Sequence, residues 1–171
     1  MTLPRLHTLP RALRALLTAF LLSAAVGFGM GVLFVEHSTR LSVDGIAERY
    51  RGSEAMGVDI DALPPDREIQ YEKSEAEILN ITHAHILSLS TLFLLVGAIF
   101  ALSEGLPAWL RSFVLIEPFV SIVLTFGGMW FVRFHHPAWS MLMAVSGVAM
   151  TFSYAVMTFW SIRCLWRTRR D

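Results

Sequence analysis

Four long apolar runs constrain this chain more than any other feature. Ala15 to Val35 is 21 residues without a formal charge, and Ile78 to Ser103 is 26 residues broken only by His83 and His85. Ser112 to Val132 is a further 21 with one acid, Glu117, and Pro137 to Ile162 adds 26 with no charge. A helix rises about 1.5 Å per residue, so about 20 residues cross a hydrocarbon core about 30 Å thick. Backbone groups in lipid must pair within their own segment, which makes helices the sensible form for each run. A chain of 171 residues, 54% hydrophobic and 16% charged, is too short to hide all four runs in a soluble core.

The sequence therefore predicts an all-α integral membrane protein, a single membrane domain over 1–171. Its four transmembrane helices, at about 14–35, 78–103, 110–133 and 138–163, form an antiparallel bundle with short turns. A small acidic outer (periplasmic) segment, 36–77, joins the first two and is partly helical. The first run follows Arg5, Arg11 and Arg14, as a secretory signal would. It is longer than the usual h-region of about 7–15 residues and lacks a small-x-small closing site, so the expectation is a retained helix.

Charge sets the expected orientation. Arg5, Arg11 and Arg14 precede the first span, Arg111 lies between the second and third, and Arg163, Arg167, Arg169 and Arg170 follow the fourth. The segment 36–77 holds eleven acids and five bases, a net −6. The positive-inside rule then places both termini in the cytoplasm of a bacterial-type inner (plasma) membrane and the acidic segment outside. Trp109, Trp160 and Trp166 fall at the inner interface, Trp130 and Trp139 at the outer one. Within the acidic segment, Leu41, Val43, Ile46, Ala47 and Tyr50 suggest a short amphipathic helix. Ser74-x-x-Glu77 reads as a capping box that starts the second long helix.

Small or polar residues mark the faces expected to meet in lipid. They are Ser23, Gly27 and Gly31 in the first span, and His83, Ser90, Gly97 and Ala101 in the second. The third aligns Glu117, Ser121, Thr125, Gly128 and His135; the fourth aligns Ser140, Gly147, Thr151, Tyr154, Thr158 and Ser161. On this pattern His83 points into the bundle and His85 toward lipid, the outer segment or a partner.

Five of six histidines fall at the outer helix ends: His37, His83, His85, His135 and His136. Imidazole is the commonest metal ligand and an axial ligand of haem iron. His83 and His135 are the expected ligands of a b-type haem. Ser90 and Gly128, each seven residues inward and about 10 Å along the helix, leave room for a porphyrin. The rival is a copper or zinc ion held by His37, His83, His135 and His136; no cofactor at all is the third option. One cysteine, Cys164, excludes Cys-built zinc, iron–sulfur and covalent haem sites. Glu117 is a candidate proton relay, or else a neutral or Arg111-paired acid that holds helices together, Arg111 lying six residues toward the cytoplasm.

Two functions follow. One is a membrane subunit of a redox or respiratory-type complex that supports electron transfer, without catalytic activity of its own. Its partners would be the lipid bilayer, other membrane subunits or further copies of itself, a quinone, and a basic soluble electron carrier docking on the acidic segment. The other is an accessory or assembly subunit with no cofactor. Neither involves nucleic acid. The redox reading predicts a Soret band in the purified protein that is lost in His83→Ala; protein that stays colourless after reconstitution with haem overturns it.

Overall fold

A computed structural model describes residues 5–64 and 67–167. Five helices carry the fold, α1 (Arg11–Thr39), α2 (Val43–Arg51), α3 (Glu75–Ala101), α4 (Ala108–Phe134) and α5 (Ser140–Leu165), with no strand among the described residues. α1, α3, α4 and α5 are long and apolar enough to cross a membrane. The protein is a multi-pass membrane protein built as an antiparallel helical bundle.

Local sequence accounts for where these helices start and stop. Ser42 Oγ accepts from Gly45 N at 2.9 Å and caps α2. The Ser74–Glu77 capping box opens α3, satisfying backbone donors that have no partner in the first turn. Pro107 precedes α4, and Pro137 forms a short 3-10 turn before α5. α1 ends in two consecutive left-handed residues, Arg40 (φ 54°) and Leu41 (φ 49°), a conformation that is unfavourable for side chains with a Cβ.

The core lies where α3, α4 and α5 meet. Phe93, Val96 and Phe100 of α3, Val114, Ile122 and Met129 of α4, and Met157 and Leu165 of α5 are fully buried. α4 and α5 approach closely at Gly128, where an added Cβ would lie 2.9 Å from Met143 Cγ. α1 is attached more lightly: 6% of its apolar stretch is buried, against 39% in α4 and α5. Leu21 is buried on it, and Phe28 stacks on Tyr154 with ring centroids 4.1 Å apart.

Two expected faces are corrected. The Ser23–Gly27–Gly31 stripe of α1 is exposed, and a Cβ added at either glycine meets nothing within 4 Å. On α3 His83 turns outward, whereas Gly97 of the same stripe is buried with Phe93, Val96 and Phe100. Lipid tails are as apolar as leucine, so polarity alone does not sort a span's faces, and close packing decides.

The segment between α1 and α3 packs over one end of the bundle as a cap. Arg51 Nη1 donates to the Val132 carbonyl at 3.0 Å, covering an orphan carbonyl at the end of α4. Arg133 Nε donates to Lys73 O at 2.6 Å and its guanidinium pairs with Glu72. Glu48 organises the cap from within. It is 4% exposed and accepts from Ser53 Oγ, Arg40 Nη2 and Arg67 Nη2, each at 2.7 Å. Burial alone raises its pKa, but those three donors outweigh it and hold the carboxyl below its ordinary 4.5.

A carboxyl whose folded pKa is depressed contributes stability that is present above its unfolded value and lost as pH falls through the folded one. Hydrogen exchange over 43–73 is therefore expected to accelerate in acid below about pH 4.5, while the spans stay protected. Glu48→Ala, which leaves the buried Ser53 hydroxyl without its acceptor and two part-exposed arginines without their acid, is expected to cost the cap about 1–2 kcal/mol at neutral pH. Unchanged exchange in both cases refutes the role of Glu48.

Candidate functional site

The outer histidines and the intramembrane acid are the two places where the sequence points to chemistry. The histidines share the cap end of the bundle, yet they do not form one group. Among the described residues no set of three or more His, Cys, Asp or Glu side chains could hold a metal ion. His37, His83, His135 and His136 are all exposed. His136 Nδ1 accepts from Ala138 N at 3.1 Å and serves as a turn cap. His135 rests on Phe131, its ring 5.3 Å away.

α4 ends at Phe134, and His135 follows as its C-cap with φ −118° and ψ −86°, its N–H still bonded to Phe131 O. His85 is exposed as well, and its ring also lies 5.2 Å from Phe126 of α4, with Nδ1 2.9 Å from Ile81 O.

Glu117 differs in every respect. It lies nine residues into α4, about 14 Å from the start of the helix. Ser121, one turn on, donates a short hydrogen bond to Oε1. Ser153 of α5 donates to Oε2 at 2.5 Å. Each carboxyl oxygen thus has its own hydroxyl, one from the same helix and one from across the interface. Pairing with Arg111 is not what the fold uses. None of the ion pairs among the described residues includes Glu117, and Arg111 Nε is buried without a partner. Pro118, which has no N–H to donate to the carbonyl four residues back, sits buried beside the acid.

Hydroxyls continue along the α4–α5 seam on the cap side of Glu117. Thr125 Oγ1 and Ser146 Oγ are 2.7 Å apart, bridging the two helices. Tyr154 of α5 turns toward α1 and α3 instead, stacking on Phe28 and meeting Phe93 edge-on. A serine hydroxyl both donates and accepts. Both Ser121 and Ser153 can therefore donate to the carboxylate, and when the acid is protonated one of them can accept from its single O–H while the other still donates to the carbonyl oxygen.

The small-residue stripes placed Glu117, Ser121 and Thr125 on one line but missed Ser153, which lies one position to the side of the stripe through Tyr154. Its signal was the seven-residue spacing Ser146–Ser153, the repeat expected where two helices pack along a seam.

Comparison with known proteins bears on the whole chain rather than on these atoms. Residues 40–171 match the family model Aq_1264_TM, a transmembrane helical domain. No curated protein and no solved structure matches the chain.

The serines are expected to be coupled to the acid. Ser153→Ala should lower stability in detergent by about 1 kcal/mol, and the same change in a Glu117→Leu background should cost little. A double-mutant cycle of thermal unfolding measures this; strictly additive losses would show that the hydrogen bond carries no energy.

Proposed function

The chain belongs to the Aq_1264_TM family of transmembrane helical domains, and from that premise we propose a membrane subunit of a redox or respiratory-type complex whose own part is to exchange a proton at Glu117. The observation that carries this reading is an acid inside the bundle with no counter-charge, bonded only to the hydroxyls of Ser121 and Ser153. An ionisable group in a span is costly and is a functional candidate by default. Placement between two reversible hydroxyls lowers the cost of changing its protonation state. Thr125 and Ser146 extend polar groups along the same seam toward the cap.

In this reading the protein lies in a bacterial-type inner membrane with both termini cytoplasmic, following the distribution of arginines. The haem or metal reading of the outer histidines requires a partner subunit to close over His83 and His135. The absorption spectrum of the intact complex decides it.

A second reading has its own observation. The open Ser23–Gly27–Gly31 face of α1 suits an accessory or assembly subunit that packs another span there and does no proton chemistry.

Infrared difference spectroscopy on the complex, purified in mild detergent, separates the two. Proton exchange predicts a carboxyl band that responds to bulk pH and deuterium and disappears in Glu117→Gln. That variant should also reduce proton uptake coupled to electron transfer, with the complex present in normal amount. A band insensitive to pH between about 4 and 10, with coupled proton uptake unchanged in Glu117→Gln, overturns the proposal in favour of the accessory role.

A further inference from the structure

The two ends of the bundle use their bases differently. At the cap end every base has a partner: Arg40, Arg67, Lys73 and Arg133 form ion pairs, Arg49 bonds to Gln70 and Arg51 to the Val132 carbonyl. At the opposite end, where α1 begins and α5 finishes, Arg5 takes the acid of the α3–α4 turn, Glu104, at 2.6 Å. Arg11, Arg14, Arg111, Arg163 and Arg167 enter no ion pair among the described residues. Helix starts follow the same division. α2 and α3 open on Ser42 and Ser74 with acids in their first turns, whereas α1 and α4 open on Pro10 and Pro107 with no side-chain cap and no acid there. A helix N-terminus carries partial positive charge, so the arginine end holds an excess that the described chain does not neutralise. Two of its arginines are also fixed in place. Arg14 Cζ lies 4.7 Å from the centre of the Trp166 ring, and Trp166 Nε1 donates to Thr18 Oγ1 at 2.9 Å, tying α5 to α1. Arg163 Cζ lies 5.3 Å from the Trp160 ring, and Trp160 Nε1 donates to the Glu104 carbonyl at 2.8 Å.

We infer that the arginine end of the bundle is a binding surface for anionic phospholipid, with Arg14 and Arg163 each donating to a headgroup phosphate. Stacking on an indole occupies the flat face of a guanidinium and leaves its N–H edge for an anion. Arg14 Nε is covered, so the terminal nitrogens of that side chain make the contact. A guanidinium fork matches the oxygens of a phosphodiester better than a point charge would. Depth selects the lipid over a soluble anion. Tryptophans at span ends settle at headgroup level, and the arginines that stack on Trp160 and Trp166 lie with them, where the phosphodiesters of the bilayer are held. Net charge selects an anionic headgroup over a zwitterionic one, because a zwitterion leaves the excess of arginine as it was. The surface lies apart from Glu117 and holds under either reading of that acid.

The full chain, purified in mild detergent, is titrated with phosphatidylglycerol or with phosphatidylcholine, and bound lipid is counted by native mass spectrometry. Phosphatidylglycerol should bind about twenty-fivefold tighter, the product of two arginines at about fivefold each. Arg14→Gln and Arg163→Gln should each raise its Kd about fivefold, and the double variant should erase the preference. Arg163 is exposed, so its variant carries the test alone if Arg14→Gln folds poorly. Arg49→Gln, the same change of charge at the cap end, should leave the preference intact. Excess inorganic phosphate should not displace the lipid. Displacement by phosphate means a site for soluble anions and overturns the inference. So does equal affinity for the two lipids, or a preference that survives the double variant or falls as far in Arg49→Gln.

Discussion

With no side chain at Gly128, α4 comes close enough to α5 that a Cβ there would lie 2.9 Å from Met143 Cγ. That approach governs much of the membrane part. In lipid no hydrophobic force drives helices together, so close contact and hydrogen bonds across the contact must do so. Closeness at Gly128 brings Thr125 within reach of Ser146, and further along it brings Ser153 to Glu117. The carboxyl is therefore positioned by the same interface that stabilises the bundle. A site built on two packed spans is held more firmly than one built on loops.

The cap addresses a different problem. The last carbonyls of a helix have no partner within it, and at α4 they fall where the chain turns back. Arg51 reaches one of them from a helix 81 residues earlier, and Arg133 reaches back to Lys73. Arg51 can do this because α2 is anchored by a buried acid with three donors. A segment with net −6 charge thus keeps itself folded by placing one carboxylate inside and using its few arginines as clamps. Asp44, Glu54 and Glu68 are exposed.

Much of this architecture is legible in the sequence, and the misses have physical causes. Run length gives the spans because bilayer thickness fixes it. Ser74-x-x-Glu77 gives the start of α3 because the capping box is a local interaction within four residues. The faces of α1 and α3 are not legible in the same way. Small residues mark where helices can touch, not where they do, and Gly27 and Gly31 touch nothing in this chain. His83 and His135 are both exposed near the cap, and among the described residues no group of three or more His, Cys, Asp or Glu forms there. Glu117 is conspicuous in the sequence as a lone acid, whereas its partner Ser153 depends on the register between α4 and α5, which only packing sets.

The two left-handed residues at the end of α1 have a further consequence. Arg40 and Leu41 turn the chain sharply without a glycine, and Arg40 is tied to Glu48 in the cap. The matched family domain begins at residue 40, at this elbow. The Arg40–Glu48 pair therefore ties the end of α1 to the cap, a hold on the helix additional to its bundle contacts at Leu21, Phe28 and Thr18.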